Sequence, residues 1–386
     1  MKTFRFTAPV EAVLGSGVLN RIGESVRLYG KRALILTGAQ SLTQGGHLST
    51  IEKALDESGV QYEIWSGIQS NPTTEDVENI VSAVSNDHCD VIVGIGGGSV
   101  IDTAKMVSIR LIHAGQIWDY IIDGEKGTDG ISPSTLPIVA VPTTTGTGTE
   151  VTPAAVVTNT VTRVKAVVVS SYIYPRCALV DPILMTSQPW NLTAQCGMDA
   201  LVQAIEAYTS KFANPITDAI ALEAIRLVGD SFRKSLLKGE NLEVRLQMAL
   251  AAFMSGIAMQ SGVGAIHALA APLSGRYEMH HGLAVALLAP SIMHLNASYV
   301  PDKYVEVARA LGKTTQGMMI EDASELSAKA VEEMLEFAKI QAPLRKLGVT
   351  ADDIETLCKD ARNPDMAGNP RELSDAEIMQ LYRDLL

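Results

Sequence analysis

Three residues of this sequence have the chemistry to share a divalent cation: Asp199, His267 and His281. Each has an ordinary reading on its own. His267 lies in the apolar stretch Gly262-Val263-Gly264-Ala265-Ile266-His267-Ala268-Leu269-Ala270, where a lone histidine is more often a satisfied core residue. His281 sits in Met279-His280-His281-Gly282, ahead of another apolar run. Asp199, in Gly197-Met198-Asp199-Ala200-Leu201, reads as an acid opening an apolar helix, stabilised by the helix dipole. Together, one carboxylate and two imidazoles in apolar surroundings are a minimal site for a divalent metal. A shared cation would give each buried group the partner it needs. His47, His88 and His113 lie in polar or loop contexts and read as surface residues.

A second group could hold a phosphate. Val91-Ile92-Val93-Gly94-Ile95 runs into Gly96-Gly97-Gly98-Ser99, with a helix expected to follow. Glycines between strand and helix let the backbone approach a ligand, and the helix start offers free N–H groups and a favourable dipole. The run is neither GxGxxG nor a P-loop. Asp102 and Lys105, three apart on the helix, read as a first-turn acid and a local ion pair. A second loop, Pro142-Thr143-Thr144-Thr145-Gly146-Thr147-Gly148-Thr149-Glu150, follows another strand and offers hydroxyls to a phosphate, ribose or carboxamide. It falls where open α/β sheets bind ligands.

The elements that must carry these groups fall into two textures. Apolar strands at Ala33–Thr37, Tyr62–Trp65, Asp90–Ile95 and Leu136–Val141 alternate with helical stretches at 49–58, 75–84 and 99–109, which predicts a parallel sheet wrapped by helices. After Asp181-Pro182 the pattern turns helical, with runs at 199–209, 217–232, 242–254 and 323–340. A boundary near 182–190 gives an α/β dinucleotide-binding domain, 1–185, and an all-α metal-binding and catalytic domain, 186–386.

Composition narrows the partners. The 386 residues are 47% hydrophobic and 19% charged, enough for large cores, with a net charge of −12 that repels nucleic acid and anionic membranes. The uncharged run Met248–Leu273 is long enough to span a membrane, yet it holds Gln260, His267 and several Gly and Ser, then Pro272, and it reads as buried core helices. The four cysteines form no CxxC pair, and no signal-peptide core follows Met1; a reducing, cytoplasmic setting is expected.

The ordered motifs resemble those of the iron-containing (group III) alcohol dehydrogenases. Gly96-Gly97-Gly98-Ser99-x-x-Asp102-x-x-Lys105 resembles their GGGSxxDxxK motif, and the 142–150 loop is similar to their PTTxGTGSE. Gly197–Tyr208 looks like their first metal segment, His267 and His281 match their later histidine ligands, and Asn369-Pro370-Arg371 a C-terminal signature. The resemblance spans nearly the whole chain. It implies a dinucleotide domain and a helical domain of the dehydroquinate synthase-like type, with the active site in the cleft between them. Cofactor contacts are implied at Gly38, Asn71, Gly97, Gly98, Ser99, Asp102, Thr143, Thr144, Thr147, Thr149 and Lys165. A divalent metal, Fe(II) first and Zn(II) second, is implied on Asp199, His267 and His281, acting as a Lewis acid while hydride passes to or from a nicotinamide. The chain is expected to act on a small alcohol/aldehyde pair, as a homodimer or larger homo-oligomer.

Three departures matter. The family usually has histidine four residues after the aspartate; here Gln203 stands there, on the same helical face, and is expected as a weaker fourth ligand. A further family histidine, four residues after the third ligand position, is Ala271 here; His280 is a substitute by proximity only. NAD-preferring members place aspartate after the first strand, where this chain has Gly38; NAD(P)(H) use leaning to NADP(H) is expected. Two positions, Ala258 and Asp365, suggest a roomier, more polar pocket. The alternatives are a relative with a specialised substrate and altered or absent metal, such as the maleylacetate, phosphonoacetaldehyde or glycerol enzymes, and a non-catalytic nucleotide-binding relative.

Overall fold

The computed structural model describes residues 3–38, 46–84 and 89–386. His88 and the Ala39–Ser41 stretch after Gly38 lie outside the described residues. Two compact units form: 7–144 with 148–187, and 188–386 with 145–147 and the N-terminal residues up to Phe6. A single cut at 185/186 therefore leaves out two excursions, the N-terminal residues up to Phe6 and the middle of the threonine loop, which group with the helical unit.

The α/β unit is built on a six-stranded, wholly parallel sheet in the order β1-β8-β5-β4-β2-β3. Its strands are β1 (Glu11–Leu14), β2 (Arg32–Gly38), β3 (Gln61–Ile68), β4 (Val91–Gly96), β5 (Ile138–Pro142) and β8 (Cys177–Val180). All of β4, β5 and β8 is buried, which is why the longer β4 and β5 read as continuous apolar runs rather than alternating ones. Helices cover both faces. Leu34, Leu36 and Ile92 pack with α3 (Thr74–Ala83) and α4 (Gly98–Arg110). Ala33, Ile35, Val91 and Val93 pack with α1 (Ile22–Arg27) and α2 (Leu48–Glu57). Strands β1 and β8 are too short to stand out in the sequence. Strands β6 (Ala154–Thr158) and β7 (Lys165–Val169) form a separate antiparallel ribbon that the α/β alternation did not foretell.

The strand order places a switch point between β2 and β4. From β2 the chain moves outward to β3; it returns to β4 on the other side of β2 and continues to β5. Ligands of open α/β sheets bind beyond the strand ends at such a reversal. Thr37 pairs with Ile95, so Gly38 and the glycine run of 96–98 end neighbouring strands there.

The helical unit contains α5 (Trp190–Thr209), α6 (Pro215–Leu237), α7 (Leu242–Ala258), α8 (Ala265–Tyr277), α9 (His281–Ala297), α10 (Pro301–Ala310), α11 (Ile320–Ala338), α12 (Ile354–Asp360) and α13 (Asp375–Asp384). The uncharged stretch is not one span. It leaves α7, passes a short turn and Gly262 at φ 78°, and enters α8. The 242–261 segment is apolar and long enough to cross a membrane, with half of its most apolar window buried. Met248, Ala251, Ala265, Leu269 and Leu273 all lie in the helical core. Pro272 cannot donate to the carbonyl of Ala268, and the Asn363 amide fills that vacancy at 2.9 Å.

Candidate metal centre and dinucleotide cradle

Helix α5 begins nine residues before Asp199, so that residue does not open a helix and has no helix-end dipole to stabilise it. Asp199, Gln203 and Glu206 stand at i, i+4 and i+7, forming one polar stripe on the buried, otherwise largely apolar second half of the helix. His267 comes from the first turn of α8 and His281 is the first residue of α9. The ligand atoms of Asp199, His267 and His281 lie within 4.8 Å of one another. His267 Nε2 stands 3.6 Å and His281 Nε2 3.9 Å from Asp199 Oδ1. These gaps are too long for hydrogen bonds. Groups sharing an ion at ~2.0–2.2 Å stand about 3–3.5 Å apart, close to the observed spacing.

Two observations test the fit to a cation. Asp199 Oδ1 and His267 Nε2 are buried and have no hydrogen-bond partner among the described residues. Burial works to lower the pKa of His267, yet Glu206 and Asp199 outweigh it and push it up to about 10. Burial likewise pushes the Asp199 carboxyl up, but His267, His281 and His280 hold it below the ordinary carboxylate range. The cluster thus favours positive charge at its centre, which a protonated His267 or a divalent ion can supply. His280, the cap residue of α9, is near enough to act on Asp199.

Gln203 is buried, and its side-chain oxygen accepts from the Ser255 hydroxyl at 3.0 Å. Backbone fit also sets this site. A Cβ on Gly282 would meet the Gln195 carbonyl oxygen at 2.2 Å, so the glycine after His281 lets α9 start against α5. Ala258 is wholly buried in the helical core, and the Asp365 N–H is bonded to Asn363.

Glu206 was legible only as one letter of a motif. Its Oε2 meets His267 Nδ1, and its Oε1 accepts the Ile266 N–H at 2.7 Å. A stripe at i, i+4, i+7 on an apolar helix is the signal that would have singled it out.

In the α/β unit, a Cβ on Gly96 would strike Val100 at 2.5 Å, and one on Gly97 would meet Thr144 at 3.3 Å. Part of the glycine run therefore serves packing against α4 and the second loop. Gly98 opens α4, and the Ser99 hydroxyl next to it accepts the Asn71 N–H at 3.3 Å. Asn71 holds a left-handed backbone, φ 56°. Thr143 donates its N–H to the Gly96 carbonyl.

Lys105 is not half of a local ion pair. It is fully buried, and its ammonium faces the carbonyls of Thr149, Thr152 and Ala154 and the hydroxyls of Thr149 and Thr152 at 2.7–3.2 Å. Asp102 accepts from the Thr149 hydroxyl at 2.6 Å and from the Val156 N–H at 3.1 Å. Burial lowers Lys105 to about 8 and raises Glu150 to about 7. Burial also raises Asp102, with Lys105, Thr149, Val156 and Lys165 pulling it back. This network ties the end of the threonine loop to α4. Thr147 falls in the segment that packs with the helical unit, where a Cβ on neighbouring Gly146 would meet Cys196 at 3.1 Å. His113 is half-buried rather than a surface residue, with Nε2 3.1 Å from Thr135 Oγ1.

A parallel α/β sheet with a glycine turn at its switch point, and a helical unit with a buried aspartate–histidine cluster, define a metal-dependent dinucleotide enzyme class. The profile of "Iron-containing alcohol dehydrogenase" matches residues 9–182, and "Fe-containing alcohol dehydrogenase family, C-terminal" matches 193–386. The chain is 36% identical to the 1,3-propanediol dehydrogenase of Citrobacter freundii, covering 99% of this chain and 98% of that one. It is 32% identical to the lactaldehyde reductase of Escherichia coli K12, covering 96% of each. A solved 1,3-propanediol oxidoreductase superimposes with a TM-score of 0.94 at 35% identity over the whole of both chains. The chain belongs to the iron-containing alcohol dehydrogenase family. It is an oxidoreductase of the alcohol dehydrogenase/aldehyde reductase kind, and the family implies a divalent metal and an NAD(P) cofactor.

Proposed function

We propose that this enzyme moves hydride between NADP(H), in preference to NAD(H), and a short-chain alcohol or its aldehyde, with the metal held by Asp199, His267, His281 and Gln203. The observation that carries the metal reading is the pair of buried atoms without hydrogen-bond partners, Asp199 Oδ1 and His267 Nε2. A divalent ion held there, Fe(II) first and Zn(II) second, would supply Lewis-acid polarisation of the substrate oxygen. This intact set speaks against the metal-free and non-catalytic alternatives.

Gln203 joins the set by its carbonyl oxygen once its amide is turned over from the orientation in which that oxygen accepts from Ser255. The Ser255 hydroxyl has one proton and faces both the Ala252 carbonyl at 2.8 Å and the Gln203 amide at 3.0 Å. Given to the closer carbonyl, that proton leaves a lone pair to accept a Gln203 N–H. The amide then turns its oxygen to the other end, an orientation that hydrogen bonding alone assigns. Residues 1–185 serve as the dinucleotide-binding domain and 186–386 as the metal-binding one. The Gly97, Gly98 and Ser99 backbone receives the pyrophosphate, flanked by Gly38, Asn71, Thr143 and Thr144. Thr147 and Lys165 complete the cofactor contacts, while Asp102 and Thr149 hold the loop. The enzyme works in the cytoplasm as a homo-oligomer, without nucleic-acid or membrane partners.

The test is a panel of short-chain aldehydes with NADPH and NADH, on anaerobically purified protein before and after chelation. Aldehyde-dependent oxidation that chelation removes and Fe(II) or Zn(II) restores is expected. Turnover that survives complete metal removal would overturn the reading.

A further inference from the structure

We propose that Glu206 is a positioning residue that fixes the ring orientation and tautomer of His267; this rests on the metal reading above. The Glu206 side chain is buried and reaches from α5 to the start of α8. One carboxylate oxygen accepts the Ile266 N–H at 2.7 Å and the other meets His267 Nδ1. A carboxylate is acceptor-only, so Nδ1 carries a proton in either charge state, and Nε2 is the nitrogen whose lone pair becomes available once a metal displaces its proton. That lone pair is on the edge facing Asp199 Oδ1, 3.6 Å away. The first turn of a helix leaves N–H groups without intrahelical partners, and Glu206 satisfies one of them while orienting the ligand next to it.

The neighbouring N–H is served separately. Ala265 donates to Asn369 Oδ1 at 3.2 Å, and Asn369 exchanges hydrogen bonds with Asn296 of α9 at 2.8 and 3.2 Å. A Cβ on Gly264 would stand 3.0 Å from both the Asn369 and the Glu206 oxygens, so the glycine before α8 lets both acceptors in. Two adjacent donors thus have two different acceptors, and only Glu206 touches the histidine.

Glu206→Gln separates orientation from bulk. A glutamine has one acceptor oxygen for two donors. If the oxygen takes the Ile266 N–H, the NH2 faces Nδ1, which must then accept; the proton moves to Nε2 and blocks it as a ligand. If the oxygen takes Nδ1–H, the NH2 opposes the Ile266 N–H. Either way metal binding becomes harder, by the roughly 10–100-fold typical of lost outer partners.

The experiment measures Co(II) and Zn(II) affinity by chelator competition for the wild type and Glu206→Gln, with melting of both metal-free proteins and 15N spectra of labelled histidine. We expect 10–100-fold weaker binding by Glu206→Gln, a metal-free melting point close to wild type, and an altered Co(II) visible spectrum. Should Glu206→Gln not fold, Glu206→Asp keeps both oxygens one methylene further back and should give an intermediate affinity. Wild-type affinity in a folded variant overturns the inference. The histidine spectra distinguish the two ways of failing. A wild type that binds no metal sinks the metal reading, whereas an unprotonated His267 Nδ1 in the wild type sinks the positioning role.

Discussion

The metal cluster and the loop network of the α/β unit are both buried and polar, but they are balanced in opposite ways. In the helical unit, Asp199 Oδ1 and His267 Nε2 are left without hydrogen bonds among the described residues. In the α/β unit, Lys105 meets five oxygens and both carboxylate oxygens of Asp102 have donors. The first arrangement is complete only with a ligand; the second is complete without one. The difference teaches where to look for chemistry and where for scaffold. Substituting a cluster residue should cost function with the fold intact, and substituting a network residue should cost the fold first.

The sharpest test of the first half is His267→Ala. Loss of a ligand removes Lewis-acid stabilisation of several kcal/mol, so kcat should fall roughly 10²–10⁴-fold, with metal content lost and a near-native circular dichroism spectrum. Normal activity in the folded variant would break the comparison on the metal side. For the second half, Lys105→Met strands three carbonyls and unbalances Asp102, a change of about 3–5 kcal/mol when one partner of a buried charged network is removed. The urea midpoint should drop accordingly. A shift worth less than ~1 kcal/mol would mean that the network is not what holds the loop.

How much of this could be read from the sequence follows the same division. The strands 91–96 and 138–142, with their glycine and threonine loops, were legible because strands buried on both faces are continuous apolar runs ended by glycine. Strands 11–14 and 177–180 were not, being only four residues long. Asp199, His267 and His281 stood out as polar residues in apolar stretches. The start of α5 at Trp190 was hidden because its first turns carry Asn, Thr and Gln rather than a clean periodic stripe. Lys105 looked local because spacing along a helix reports neighbours on that helix, while its acceptors are 44–49 residues away.

A smaller effect sharpens the comparison through pH. Burial raises Glu150 from 4.5 to about 7, with Lys105 opposing and Asp102 part of the same network. Between those values the folded chain binds a proton that the unfolded chain has released, so Glu150 makes stability fall as pH rises through that window. Glu150→Gln removes the titration. Its stability relative to wild type should therefore grow between about pH 5 and about pH 7.5, by at most on the order of 3 kcal/mol. Urea melts at the two pH values check this, and a constant difference would show that Glu150 is not desolvated.

The finest distinction concerns the nicotinamide cofactor and the one position at the sheet's switch point that we propose sets it. Gly38 ends β2 beside the strand that leads into the glycine run. An aspartate there would meet the 2′-phosphate of NADP(H) with like charge, an unfavourable contact of ~1–3 kcal/mol, or roughly ten- to a hundredfold in affinity. Glycine carries no such charge, and its backbone leaves room for the phosphate. No arginine adjoins it in sequence to clamp that group: Lys31 and Arg32 lie at the far end of the strand, and Arg32 is bonded to Asp90. The preference for NADP(H) should therefore come from absent repulsion, and it should be modest. Gly38→Asp should swing the ratio of kcat/KM values toward NADH by ten- to a hundredfold, mainly through the NADPH KM, with metal affinity unchanged. Steady-state kinetics with both cofactors on wild type and variant measure it. A wild type that strongly prefers NADH, and a ratio that Gly38→Asp leaves in place, would show that cofactor choice is made elsewhere.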